Sequence, residues 1–193
     1  MKIDLIVEPI VAIAELARIP IAFEVRSVFE VKTSGAGSGG FLLSEHKLSV
    51  PYLKDYDAIN GEGPTQWAKR FDISRWGLIG VYANDGRVGA AVIAFGTKEI
   101  KALEGRADSA ALLDIRILQQ FRRKGVGSAL FRAAEDWARA MGSRELIVET
   151  QNINVPACRL YESQGCVLGE IDRSAYPDFP DEIQLLWHKD ILA

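Results

Sequence analysis

The chain has 193 residues, 48% of them hydrophobic and 25% charged, and a formal net charge of −3. That length fills one core, so a single domain over residues 1–193 is expected, and the acidic balance excludes general nucleic-acid binding, which needs a broad basic surface. No apolar run reaches the roughly 18 residues that cross a bilayer, and Met1-Lys2-Ile3-Asp4 opens without the basic and apolar blocks of a secretory leader, so a cytoplasmic protein with no membrane partner is expected.

Ile3 to Val7 is a short strand candidate, and Pro9 starts a helix-like segment over residues 10–17 that stops before Pro20. Residues 21–32 alternate and carry Phe23, Val25, Val28, Phe29 and Val31, the pattern of a long strand. The glycine- and serine-rich stretch 33–40 leads to a return strand over Phe41 to Leu48, which makes a hairpin. Gly35, Gly37 and Gly40 match the G-x-G-x-x-G spacing of dinucleotide sites, with Asp57 at a suggestive distance, but no helix follows, so a hairpin loop is the reading. Residues 50–57 show little periodicity and 60–64 read as loop; this stretch is either a substrate wall or irregular packing. A helix over 65–71 precedes two strands, 76–83 and 88–96, around Asn84-Asp85-Gly86-Arg87, where Asp-Gly between apolar runs is a strong hairpin signal. Residues 98–108 form a polar connection to a third strand over 111–117.

That strand stops at Arg122-Arg123-Lys124-Gly125-Val126-Gly127, and a helix begins. Two glycines let the backbone turn tightly and approach a ligand, while the first amides of the helix lack carbonyl partners. Free donors, the helix dipole and three cations in one turn make an anion site of phosphate size. The bland alternative is a solvated connection. Val126, Leu130, Ala134, Trp137 and Met141 share one face of the helix, and Gly142 sits where a left-handed residue ends it.

Glu145 to Glu149 is an apolar strand, and the short linkers on both sides of the helix imply a parallel crossover. Asn154 can cap a helix over 155–163, with Pro156 in its first turn and Gly165 at its end. Strands over 167–171 and 183–188 close the chain around the loop Tyr176-Pro177-Asp178-Phe179-Pro180. The fold class is α+β, a mixed sheet that is antiparallel first and locally parallel after the main helix. Cys158 and Cys166 have no CxxC partner or histidine cluster, so they read as reduced packing residues and no metal site is expected. His46 and His188 belong to no motif.

Arg122-x-x-Gly125-x-Gly127 between a strand and a helix, then Glu149-Thr150-Gln151 and Asn154-x-x-Ala157-x-x-x-Tyr161-x-x-x-Gly165, resembles the GNAT acetyltransferases. The string Glu149 to Tyr161, together with Phe23-x-Val25-Arg26-x-Val28-Phe29-x-Val31 and Pro51-Tyr52-x-Lys54-Asp55-Tyr56, is similar to the streptothricin acetyltransferases of that family. Arg123, where the family usually has glycine, Cys166, where it has Phe, and a longer 58–75 region are departures that bear on the acceptor.

The resemblance implies a mostly antiparallel sheet with a splayed parallel strand pair, flanked by helices, and acetyl-CoA as co-substrate. It places the cofactor on Ile115, Arg116, Ile117, Arg122, Arg123, Lys124, Gly125, Val126, Gly127, Ser128 and Asn154. Acetyl transfer to an amine needs a neutral nucleophile, a stabilised oxyanion and a proton for the leaving thiolate. The oxyanion falls to backbone amides near Ile117, the proton to Tyr161, whose phenol lies near a thiol in acidity. From spacing alone Tyr161 reads as a packed aromatic on the inner face of its helix, and the motif turns that reading toward the acid. Glu149 is the base named for the site, with Asp114 or a water chain as alternatives; Asp55, Asp57 and Asp178, joined by Glu62, Asp181 and Glu182, would attract a cationic amine. The expected partners are a small-molecule amine and acetyl-CoA, with a homodimer as a further expectation. Other readings are an N-acetyltransferase of a protein amine or metabolite, or a non-catalytic acetyl-CoA-binding module.

Overall fold

Strand β5 (Gly86–Phe95) carries an unbroken apolar run, Val88 to Phe95, and every residue of it is buried. A strand buried on both faces has no polar alternation, and here both sides are packed. The computed structural model describes residues 2–35, 39–59, 63–83 and 86–192. They divide into two units, Met1–Ala22, Asp55–Ile147 and Asp190–Ala193 in the first, Phe23–Lys54 and Val148–Lys189 in the second.

In the first unit the strands run in the order β1 (Asp4–Glu8), β4 (Gly77–Ala83), β5, β6 (Ser109–Ile117) and the start of β7 (Glu145–Gln151). β1, β4, β5 and β6 are antiparallel neighbours, registered through Val7↔Ile79, Ile79↔Ala91 and Ala90↔Arg116. β6 and β7 are joined through helix α2 (Val126–Ala140), the connection a parallel pair requires. The β4–β5 hairpin forms as read, although Asn84 and Asp85 lie outside the described residues. Helix α1 (Pro64–Arg70) packs on the segment 10–18.

Two local expectations change. The segment Ile10–Arg18 is a 3-10 helix, not an α-helix. Ile13, Leu16 and Ile19 are buried at a spacing of three, and a helix with three residues per turn stacks them on one line. α2 buries Val126, Leu130, Phe131, Ala134 and Ala138, whereas Met141 is 36% exposed. Trp137 instead lies against β4, where a Cβ on Gly77 would come within 2.6 Å of the indole. Gly142, at φ 87°, ends the helix as the sequence indicates.

The second unit holds the hairpin of β2 (Phe23–Ser34) and β3 (Gly39–Lys54), then the end of β7, α3 (Val155–Ser163), β8 (Val167–Asp172) and β9 (Gln184–Asp190). β9 lies between β7 and β8 and is antiparallel to β8. β3 runs beyond its expected end at Leu48. Its pairing jumps from Ser27↔Lys47 to Val25↔Tyr52, so residues 48–51 bulge out and Pro51, which has no N–H to give a ladder, is accommodated. Gly35 follows β2 and Gly40 lies in β3, whereas Gly37 lies outside the described residues.

Asn152 ties the second unit together. Its backbone N–H donates to Ile183 O at 3.0 Å and its carbonyl accepts from Phe29 N at 2.9 Å. The side chain repeats both links, Nδ2 donating to Phe29 O at 3.1 Å and Oδ1 accepting from Ile183 N at 2.8 Å. The residue is 5% exposed, so few of these bonds could be replaced by water. The architecture is α+β, a mostly antiparallel mixed sheet with one parallel pair.

Candidate active site

The turn after β6 is built from backbone. Leu118 N donates to Val88 O at 2.8 Å, Gln119–Phe121 make one 3-10 turn, and Gly125 stands at the N-cap of α2 with φ 82°. No side chain caps the helix, so its first-turn amides get no acceptor from the capping position. A Cβ on Gly125 would meet nothing within 4 Å, which leaves the backbone open to approach. Arg123, at φ 60°, holds a left-handed conformation that favours glycine, the residue usual there in the resembling family. Arg123 and Lys124 are exposed, and Lys124 Nζ lies 5.7 Å from the Phe121 ring centroid.

Arg122 does something else. Its Nε donates to Ile117 O at 2.8 Å, and Nη2 reaches Ala22 O at 3.3 Å and Pro20 O at 3.4 Å. Burial lowers its pKa, and the guanidinium braces the end of β6 against the chain entering β2. Of the three cations in the motif, two are left to meet an anion.

On β6 the pleat puts Asp114 and Arg116 on one face and Ile115 and Ile117 on the other. Arg116 is 2% exposed and donates from Nε to Asp114 Oδ1 at 2.9 Å, from Nη2 to Asp114 Oδ2 at 2.5 Å, and from Nη1 to Ile19 O at 3.1 Å. It also holds both carboxylate oxygens of Asp57. Burial pushes the Asp114 carboxyl up, and Arg116 opposes that push. Burial also works against the Arg116 charge, but Asp114 and Asp57 more than offset it and keep the guanidinium protonated. With both oxygens taken and 6% exposure, Asp114 is a structural counter-ion.

In the second unit, Asn154 caps α3 as read, its Oδ1 accepting from Ala157 N at 3.3 Å. Val155, Cys158 and Tyr161 form the buried face of that helix, with Tyr161 4% exposed. Burial pushes the Cys158 thiol up to about 12, and Cys166 is buried as well. Glu149 is exposed, and its Oε1 accepts a hydrogen bond of 2.7 Å from Tyr176 Oη. Tyr176 Oη in turn accepts from Gln151 Nε2 at 2.9 Å. Tyr176 was missed in the sequence, where its loop drew notice for acids; period two puts Glu149 and Gln151 on one face, but nothing local points a tyrosine at them.

The candidate acceptor acids differ in environment. Asp55 Oδ1 accepts from Asp57 N at 3.0 Å, and Asp178 is exposed. Glu182 is consumed by Lys54, a buried pair at 2.5 Å whose ammonium also lies 3.5 Å from the Phe179 ring centroid. Burial, with the charges of Glu182 and Asp181, raises the Tyr52 pKa. Glu62 lies outside the described residues. His46 pairs with Glu30 at 3.0 Å on the hairpin surface. Among the described residues no helix is long and apolar enough to cross a membrane.

The model of the acetyltransferase (GNAT) family matches residues 48–166. The streptothricin acetyltransferase of Escherichia coli is 31% identical over 191 residues, 97% of this chain and 95% of that protein. Streptothricin acetyltransferase A of Bacillus subtilis (strain 168) is 37% identical over 81 residues, 41% of this chain and 47% of that protein, so the chain spans about half the length of that relative. A Bacillus anthracis str. Ames protein, solved in complex with acetyl coenzyme A, superposes with a TM-score of 0.76 at 20% identity over 98% of this chain and 99% of that one, which shows the fold. The match over more than half the chain, and the near full-length relative, place this protein in the acetyltransferase (GNAT) family.

Proposed function

We propose that the chain moves the acetyl group of acetyl-CoA onto a primary amine of a small cationic acceptor of the streptothricin type. Family membership makes it an acetyl-CoA-dependent N-acetyltransferase; the acceptor, the residue roles, the reading of 1–193 as one catalytic domain and a homodimeric assembly are the proposal. The observation that carries the acceptor is the near full-length likeness to an enzyme named for streptothricin.

The uncapped start of α2, Val126 to Ser128, with Arg123, Lys124 and Gly125, holds the pyrophosphate of the cofactor. Arg122 shapes that turn through carbonyls rather than by facing the anion. Backbone at Ile115, Arg116 and Ile117 lies along the acyl arm, where an amide near Ile117 stabilises the oxyanion. Asn154 serves the cofactor by setting the start of α3. The amine nitrogen attacks the thioester carbonyl, its surplus proton passes to Glu149, and the tetrahedral intermediate expels the CoA thiolate, which takes the Tyr161 proton. Asp55, Asp57 and Asp178 attract the cationic acceptor, Asp57 with its charge already shared by Arg116.

The test is release of CoA thiol from acetyl-CoA with streptothricin as acceptor, followed against ionic strength. A second-order rate constant that falls as salt rises, and falls again in Asp55→Asn and Asp178→Asn, is expected. No turnover, or turnover indifferent to salt and to both substitutions, would point to uncharged or protein acceptors.

A further inference from the structure

We infer that Tyr176 is a positioning residue for Glu149, holding the proposed base oriented through a chain of two hydrogen bonds, Gln151 to Tyr176 and Tyr176 to Glu149; the inference rests on the role given to Glu149 above.

The direction of the chain follows from chemistry. The Gln151 amide nitrogen can only donate, so Tyr176 Oη accepts there, at 2.9 Å, and its own proton is left for Glu149 Oε1, at 2.7 Å. Successive donors polarise one another, and a phenol that accepts one bond gives a stronger one. Glu149 is exposed at the end of β7, where a carboxylate would otherwise sample several rotamers. A hydrogen bond to one oxygen fixes that choice and leaves the second oxygen to take a proton.

The tyrosine itself is held. Its loop, between β8 and β9, is fastened near one end by Arg173 Nη2 donating to Val31 O at 2.6 Å. At the other end, Ile183 N donates to Asn152 Oδ1 at 2.8 Å, and the buried Lys54–Glu182 pair closes at 2.5 Å. Lys54 also sits on Phe179, and the turns Phe179 N to Tyr176 O and Glu182 N to Phe179 O, both 2.9 Å, complete the loop. A loop fastened in this way delivers the phenol to one place. The same loop carries Asp178, so the residue that orients the base belongs to the segment that meets the acceptor.

The experiment is a double-mutant cycle on kcat in the full chain, with Tyr176→Phe, Glu149→Gln and the pair. Tyr176→Phe keeps the ring and removes the hydroxyl, which donates to Glu149 and accepts from Gln151. It is expected to lower kcat on the order of tenfold in the parent, with the acetyl-CoA KM unchanged, and to cost nothing further in the Glu149→Gln background. A general structural role would lower kcat equally in both backgrounds and would overturn the inference, as would parental kcat in Tyr176→Phe. If Glu149→Gln alone retains parental kcat, the base assignment fails and this inference falls with it, an outcome distinct from the previous two. Gln151→Leu provides a second variant should Tyr176→Phe not fold: a smaller loss, again absent beside Glu149→Gln, is expected, and additivity overturns the proposal.

Discussion

Asp57 grips the guanidinium of Arg116 with both carboxylate oxygens, Oδ2 to Nη1 at 2.8 Å and Oδ1 to Nη2 at 3.2 Å. The two residues are 59 positions apart, and the pair anchors the irregular segment after β3 onto β6. Arg116 is shared with Asp114, so losing Asp57 leaves the buried charge partly compensated. Asp57→Ala is therefore expected to destabilise by about 1–3 kcal/mol, a loss of charge-assisted bonds without an orphaned cation. Urea unfolding gives the number; parental stability would mean the pair is dispensable.

Removing the side-chain half of the Asn152 brace should cost more per atom. Asn152→Leu leaves Phe29 O and Ile183 N without their side-chain partners in a buried place, and about 2–4 kcal/mol is expected. Thermal melting of the variant, with and without acetyl-CoA, is the measurement.

Gly125→Val probes the cradle. At φ 82° a β-branched residue is strained by about 1–2 kcal/mol, yet its Cβ meets no neighbour, so the chain should fold. A bound pyrophosphate would meet the new side chain, and an acetyl-CoA Kd weakened roughly tenfold or more is expected by calorimetry. Unchanged affinity would remove the turn from the cofactor site.

Tyr161→Phe should lower kcat about a hundredfold with little change in acetyl-CoA affinity, since a proton delivered to the leaving thiolate matters only in the transition state. Steady-state kinetics with chemistry rate-limiting decides it. Parental kcat would leave Tyr161 as one of the buried side chains of α3.

Cys158 makes a prediction about alkaline pH. Burial raises its folded pKa to about 12 from an ordinary 9.0, so the folded chain keeps a proton that the unfolded chain releases. Its contribution is intact below pH 9.0 and is lost as pH rises toward about 12, at no more than about 1.4 kcal/mol per pH unit. Cys158→Ala should flatten that part of the stability profile. The folded parent should resist a thiol reagent at neutral pH until denatured.

The sequence by itself determined what rests on neighbours along the chain. The bounds of α2 and α3, the Asn154 cap, the glycines at 142 and 165 that end helices, and the uncapped glycine turn before α2 all follow from residues within a few positions of one another, where backbone sterics and capping act. The motif carried the family for the same reason. Tertiary structure decided the directions of side chains whose partners are distant. Nothing near Arg122 shows that its charge turns back to Ile117, Pro20 and Ala22, nor that Arg116 finds Asp57, nor that Tyr176 crosses 27 positions to Glu149. Even the 3-10 form of 10–18 depends on packing, because a short apolar segment with residues at spacing three takes the helix that its burying surface selects. Hydrogen bonds and ion pairs gain their strength in places that folding has already emptied of water, so which pairs form is settled only after chain segments far apart have been brought together.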